Sequence, residues 1–159
     1  MTKTIYMGQF DTVRTPDVLK TTLGSCVGLV LYDPATDTFG MAHIMLPVCP
    51  TGDQPGSGKY ANTAIPALIQ KMGSRSTKGM RAKLAGGANM FAALNPGAAE
   101  RDTLKVGERN VAATLEILKS LGIEVIGSQL GGMHGRELTI DAQSGKIWVR
   151  TIGSEPIEL

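Results

Sequence analysis

The sequence predicts an α+β fold of layered, mostly antiparallel β-sheets with helices packed on one side. Two observations carry this. About seven stretches have strand-type apolar patterning and mostly fall in pairs around short turns, whereas only two segments carry a clear helical stripe. A strict βαβα alternation, which would demand a parallel sheet, is absent. The length of 159 residues suits one domain spanning 1–159, enough to bury a core without staples.

Taken in order, Lys3 to Gly8 reads as a first strand, with Ile5 and Met7 on one face and Tyr6 on the other. Thr12 to Pro16 reads as a polar connection. Val18 to Leu23 is a second strand, ended by a Gly24-Ser25 turn. Val27 to Tyr32 is apolar at successive positions, as in a strand buried on both faces. Asp33 to Asp37 carries turn chemistry and Phe39 to Leu46 is apolar again, so these strands make an antiparallel hairpin. Pro47 to Gly58, with three prolines and three glycines, is a loop that follows the hairpin directly.

Tyr60 to Met72 carries the stripe Ala61, Ala64, Ile65, Leu68, Ile69 and Met72, a helix ended by Gly73. Pro66 fits only a first turn, which sets the expected N-cap near Asn62 or Thr63. Met80 to Ala85 is a strand that leads into Gly86-Gly87, and Phe91 to Thr103 reads as loop. Gly107 to Leu121 is the clearest helix: Val111, Ala112, Leu115, Leu118 and Leu121 make its expected face and Gly122 ends it. Ile123 to Leu130 is a strand that runs into Gly131-Gly132. Arg136 to Ile140 and Lys146 to Ile152 form a closing hairpin.

Composition narrows the function. Hydrophobic residues are 42% and charged residues 19%, which excludes a disordered chain. Aromatics are 4% beside 20 glycines, so the core is aliphatic and the turns are tight. A formal charge of +2 without a basic stripe argues against nucleic acid. The N-terminal residues lack the apolar run of a signal peptide, and no stretch approaches the ~18 apolar residues of a membrane span. The two cysteines lack CxxC spacing. A reduced, cytoplasmic setting is therefore expected.

The chemistry concentrates between Thr21 and Pro47. Cys26 stands where a Gly-Ser corner meets an apolar strand, a place where a thiol is held rigid beside backbone N–H groups. His43 is polar inside an apolar segment, 17 residues later on the returning arm of the same hairpin. Each has an ordinary reading: a free cysteine as a small buried hydrophobe, a histidine as a satisfied core residue. Together, beside a Gly-Pro-rich loop, they are a candidate nucleophile–base pair. The third group that orients the ring has two local candidates, Thr21 and Thr22, and strand alternation lets only one face the site.

A metal is the other use of a Cys/His pair. Cys26, His43, Cys49 and His134 are the only thiols and imidazoles, and their spacing matches no zinc pattern. Cys49 reads as a bystander and His134 as a solvated turn residue. The glycine turns around Asn89 and Asn110 match neither a P-loop nor a dinucleotide fingerprint, so these amides are expected to bond backbone in tight turns.

Leu23-Gly24-Ser25-Cys26-Val27 followed by Ala42-His43-Ile44-Met45-Leu46-Pro47 closely resembles the CheD family of chemotaxis proteins. The resemblance continues through Lys59 to Ala64, Lys83 to Met90, Val106 to Val111, Leu130-Gly131-Gly132 and Gly135-Arg136, nearly the whole chain in order. It implies a chemoreceptor glutamine deamidase (a protein-glutamine glutaminase and hydrolase) with a fold and Cys-His site similar to the deamidase domain of cytotoxic necrotising factor toxins. Cys26 then matches the family nucleophile, His43 the base, and Thr21, favoured over Thr22, the third residue. The resemblance implies no metal and no cofactor. Its implied partners are methyl-accepting receptors as substrate and a CheC-type phosphatase, whose activation is the alternative, non-catalytic role. Asn62 stands where an acidic residue is common in the family. A different thiol hydrolase acting on a small substrate is the remaining class.

Overall fold

The computed structural model describes residues 1–50, 54–90 and 105–159. In chain order the elements are β1 (Thr2–Thr4), β2 (Phe10–Val13), β3 (Val18–Leu23), β4 (Val27–Asp33), β5 (Thr38–Ile44), α1 (Ala61–Lys71), β6 (Arg81–Gly86), α2 (Val106–Ser120), β7 (Glu124–Leu130), β8 (Arg136–Asp141), β9 (Lys146–Thr151) and β10 (Ile157–Glu158). They make two five-stranded sheets, ordered β1-β3-β8-β9-β10 and β2-β5-β4-β6-β7. The pairings are antiparallel except β1 with β3 and β6 with β7. The expected α+β architecture is therefore present, mostly antiparallel, with one parallel pair in each sheet.

Alternation along β4 and β5 builds three layers. Val27, Leu29, Leu31, Ala42 and Ile44 face a core shared with Ala61, Ala64, Ile65 and Leu68 of α1 and Leu118 of α2. Val30, Phe39 and Met41 face a second core with Leu19, Leu23, Leu138, Ile140 and Val149 of the first sheet. Both described helices cover one face of the second sheet, and the first sheet covers the other. A strand apolar on both sides, as β4 is, belongs in such a middle layer.

Several elements depart from their sequence expectation. β1 stops at Thr4 because the chain turns at Tyr6–Gln9, with Gly8 at φ +74°, and Met7 ends up exposed rather than beside Ile5. Phe10–Val13 is an edge strand where a polar connection was expected to begin; its Asp11 ion-pairs with Lys3 and Lys71, which hides strand identity behind charge. Ile157–Glu158 adds a short edge strand the sequence did not signal.

α1 begins at Ala61 with Tyr60 as its N-cap, so neither Asn62 nor Thr63 caps it and Pro66 lies inside. Backbone contacts fix that start: Ala61 N–H donates to the Leu46 carbonyl and Ala64 N–H to that of Tyr60. α2 buries Gly107, Asn110, Thr114 and Leu118, while Leu115 and Ala112 face outward. Its contact face is rotated toward small residues because its first turn lies against the Gly86-Gly87 turn, where a Cβ on Gly107 would sit 2.5 Å from the Gly87 carbonyl oxygen. The loop expected over Phe91–Thr103 lies outside the described residues, as do 51–53 of the Pro47–Gly58 loop.

Candidate active site

The β4–β5 ladder pairs Gly28 with His43 and Val27 with Ile44. Cys26, one residue before β4, is thus a diagonal neighbour of His43, a relationship that spans ~7–8 Å between Cα atoms. Gly28 and His43 point toward the first sheet; a Cβ on Gly28 would meet Leu138 and Leu23 at 2.7 Å. Cys26 belongs to the same inter-sheet core and is 9% exposed, so its thiol sits at the rim of that core.

β3 supplies the third member from across the sandwich. Its burial alternates, with Leu19, Thr21 and Leu23 inward and Lys20 and Thr22 outward. Thr21 Oγ1 lies 2.7 Å from His43 Nδ1 and 2.6 Å from the Ile5 carbonyl oxygen. A hydroxyl has one proton and a carbonyl can only accept. Thr21 therefore donates to Ile5 and accepts from His43, which places the imidazole proton on Nδ1. Nε2 is left as a bare acceptor, buried and without a hydrogen-bond partner among the described residues.

Electrostatics keep this pair neutral at rest. Burial pulls the His43 imidazole below its ordinary 6.5, against a smaller upward pull from the Ile5 backbone. Burial pushes the Cys26 thiol above its ordinary 9.0. Desolvation penalises the charged form of each, so the geometry suits a histidine that takes a proton from a thiol during reaction, not a standing ion pair.

The turn that carries Cys26 is pinned through its carbonyls. Gly24 accepts from Ala88 N–H at 3.0 Å, Ser25 from Asn110 Nδ2 at 3.2 Å, and Cys26 from Gly87 N–H at 2.8 Å. A planar trans peptide directs its N–H opposite to its C=O. The N–H groups of Ser25 and Cys26 accordingly face away from these anchors. Asn110 also donates to the Met45 carbonyl at 2.9 Å, so one buried amide ties the Cys26 turn to the end of β5.

A family model described as CheD chemotactic sensory transduction matches residues 45–151. A probable chemoreceptor glutamine deamidase CheD from Methanococcus maripaludis (strain S2 / LL) is 40% identical over 154 residues, 95% of each chain. Proteins of the same name from Caldanaerobacter subterraneus subsp. tengcongensis and Desulfitobacterium hafniense (strain DCB-2) are 40% identical over 151 residues (92% of this chain, 91% of theirs) and 41% over 160 (96% of each). The chain belongs to the CheD family. The family-model match begins at Met45, beyond Thr21, Cys26 and His43, so the reading of those three rests on their geometry.

In this CheD-family chain Thr21 and His43 share a hydrogen bond, Cys26 stands at the strand entry diagonal to His43, and the other candidates lie elsewhere. Thr22 is exposed on the outer face of the first sheet. Cys49 is half-buried in the loop after β5, its N–H bonded to Asn62 Oδ1, and both cysteines are free. His134 is exposed in the 131–135 turn. Among the described residues no three His, Cys, Asp or Glu side chains group as metal ligands.

Three contributors escaped the sequence reading of this CheD-family site. The Ile5 carbonyl carries no side-chain signal at all. Asn110 does bond backbone, as expected, but from inside α2 rather than from a turn. Arg136, 6% exposed, donates to the Gly86 and Gly131 carbonyls at 2.8 and 2.6 Å and braces the two glycine turns beside Cys26. An arginine that opens a strand just after a glycine turn was the one available hint.

Proposed function

We propose that this chain is a chemoreceptor glutamine deamidase, with Cys26 as nucleophile, His43 as general base and acid, and Thr21 as the residue that positions the ring. The observation that carries the proposal is the relay His43 Nδ1–H to Thr21 Oγ1–H to the Ile5 carbonyl. It leaves Nε2 without a hydrogen-bond partner among the described residues and so available for proton transfer. The relatives' printed name supplies the substrate class.

In the proposed reaction His43 Nε2 accepts the Cys26 proton as the sulfur attacks the side-chain amide carbon of a receptor glutamine. The oxyanion forms beside the Ser25 and Cys26 N–H groups. His43 then protonates the departing nitrogen, ammonia leaves, and a thioester remains. Water, deprotonated by the same Nε2, hydrolyses it to glutamate and restores the thiol. The whole chain acts as one deamidase domain in the cytoplasm, where receptor signalling domains lie; among the described residues no helix is long and apolar enough to cross a membrane.

Mass spectrometry of a purified receptor cytoplasmic domain after incubation tests this, with Cys26→Ala as control. Conversion of defined glutamines to glutamate, absent with the variant, is the expected result; no conversion by either protein sinks the reading. The partnership with a CheC-type phosphatase is separated by the same variant, since a purely binding role survives Cys26→Ala.

A further inference from the structure

The two sheets leave a cavity between them at the turn end of the β4–β5 hairpin, remote from Cys26 and His43. Strand register builds its floor. Phe39, Tyr32 and Arg81 stand in one row across β5, β4 and β6, and Met41, Val30 and Lys83 stand in the row nearer Cys26. Both rows face the first sheet, because Val30, Phe39 and Met41 belong to the core between the sheets and Tyr32 packs on its edge. The 142–145 turn of the β8–β9 hairpin forms the facing wall. The enclosed volume is about 410 Å³, within the range of small-molecule sites. Val30, Phe39, Ala142 and Ile147 are buried and make an apolar base, while the polar lining residues stand half-buried or exposed above it.

The walls are fixed by their own bonds. Tyr32 donates its hydroxyl to Asp37 Oδ1 at 3.2 Å, and its ring centroid lies 4.6 Å from that of Phe39. Across the cavity, Asp141 holds the turn by accepting from Gln143 N–H at 2.9 Å and from the Ser144 hydroxyl at 2.7 Å. Thr15 Oγ1 donates to the Ala142 carbonyl at 3.1 Å, and Lys83 Nζ donates to the Leu159 carbonyl. One charge in the lining is left over. The Arg81 guanidinium has neither an ion pair nor a hydrogen bond among the described residues. Asp37, the one carboxylate of the lining, serves Tyr32 instead. Burial and the Asp37 bond hold the Tyr32 phenol above its ordinary 10.0 against a downward pull from Arg81, whose charge therefore lies near the ring.

We propose that this cavity binds a small aromatic carboxylate, with its anionic group paired to Arg81 and its planar body lying against Tyr32 and Phe39 over the apolar base. The guanidinium fork matches the two oxygens of a carboxylate. Water alone can satisfy a surface arginine, but it gains nothing from the apolar base beside this one, where a flat ring displaces it. The cross-strand row sets cation and aromatic faces side by side, which suits a ligand whose own charge and ring adjoin. The lining carries two cations against one anion, so an anionic ligand balances it. Nothing in this site draws on Cys26 or on the deamidase reading, and the two stand or fall separately.

Calorimetry with benzoate, 2-naphthoate and indole-3-acetate tests the site, each compared with its uncharged amide. The expected result is saturable binding of at least one carboxylate. Its amide is expected to bind at least about tenfold more weakly, the scale of losing a charge-assisted pair, and Arg81→Gln is expected to weaken the carboxylate by a similar factor. Arg75→Gln, an exposed arginine outside the lining, is expected to leave affinity unchanged. Amide ¹H–¹⁵N shifts of the unaltered protein locate the ligand, and the expected changes centre on Asp37 and the 142–145 turn. The amide comparison and the shift map need no variant, so they decide the matter even where Arg81→Gln perturbs the strand. Failure of all three carboxylates to bind, amides that bind as tightly as the acids, affinity unchanged in Arg81→Gln, or shifts centred on the Cys26 turn overturns the proposal.

Discussion

Thr21 holds His43 through Nδ1 at 2.7 Å, from the opposite sheet of the sandwich. Thr22, the next residue of the same strand, points to solvent. Thr21→Val keeps the volume but removes the acceptor for Nδ1–H, so both ring tautomers become available and Nε2 is no longer reserved. Turnover is expected to fall by about 10- to 100-fold, the scale on which orienting a ring through its second nitrogen acts. Thr22→Val is expected to leave turnover unchanged. Parallel kinetics on the receptor domain check both, and equal losses would refute the relay.

The identity of the thiol is equally sharp. Cys26→Ser is expected to lose at least about a thousandfold in turnover, because an alcohol is far less ionised than a thiol and the proposed mechanism runs through sulfur. Cys49→Ala, in a loop away from His43, is expected to retain it. The reverse pattern would mean the wrong thiol has been chosen.

The neutral resting pair fixes a pH window. The folded His43 binds its proton less readily than an unfolded imidazole of 6.5, so folding stability is lost as pH falls below about 6.5. The folded Cys26 keeps its proton above the unfolded value of 9.0, so stability is lost as pH rises beyond about 9. Thermal unfolding against pH is expected to show both losses, with the acid loss reduced in His43→Leu. Turnover falls on the acid side as well, since a protonated Nε2 cannot accept.

Asn110→Ala removes both donors that tie Ser25 to Met45 and leaves their carbonyls without that partner. The expected cost is about 2–4 kcal/mol of stability, read by denaturant unfolding. Reduced turnover is expected to accompany it, because the Cys26 turn and the end of β5 are no longer held together.

Gly86 has φ +106°, and a Cβ there would sit 2.3 Å from the Cys26 carbonyl oxygen. Gly86→Ala is expected to cost more than about 3 kcal/mol, with the Cys26 turn displaced. Gly73→Ala, at φ +73° with nothing within 4 Å of the added atom, is expected to cost only about 1–2 kcal/mol. The difference in midpoint between the two variants isolates the steric part.

Much of this was legible before folding was considered. Val18–Leu23 ends where its apolar alternation ends, and the hairpin of β4 and β5 follows from two apolar runs around Pro34. The α1 stripe of Ala61, Ala64, Ile65 and Leu68 is the buried face. These elements were readable because their side-chain pattern and their backbone state agree. The contact face of α2 was not, because close approach to Gly87 selects glycine, asparagine and threonine over the larger Leu115. Pro66 misled for a related reason: α1 starts where Leu46 and Tyr60 fix it, not where the proline would prefer.

The sequence by itself determined the chemistry available: one thiol at a strand entry, one histidine on the returning arm, and a threonine pair upstream. It also determined the hairpin that makes their approach feasible, because turn length and apolar runs are local properties. Tertiary structure decided the register that sets Gly28 opposite His43 and the packing of β3 that turns Thr21 rather than Thr22 inward. It likewise decided the use of the Ile5 carbonyl to fix the imidazole tautomer. Those choices depend on groups 16 to 22 residues apart and on a backbone atom that every residue possesses, so no local pattern could encode them.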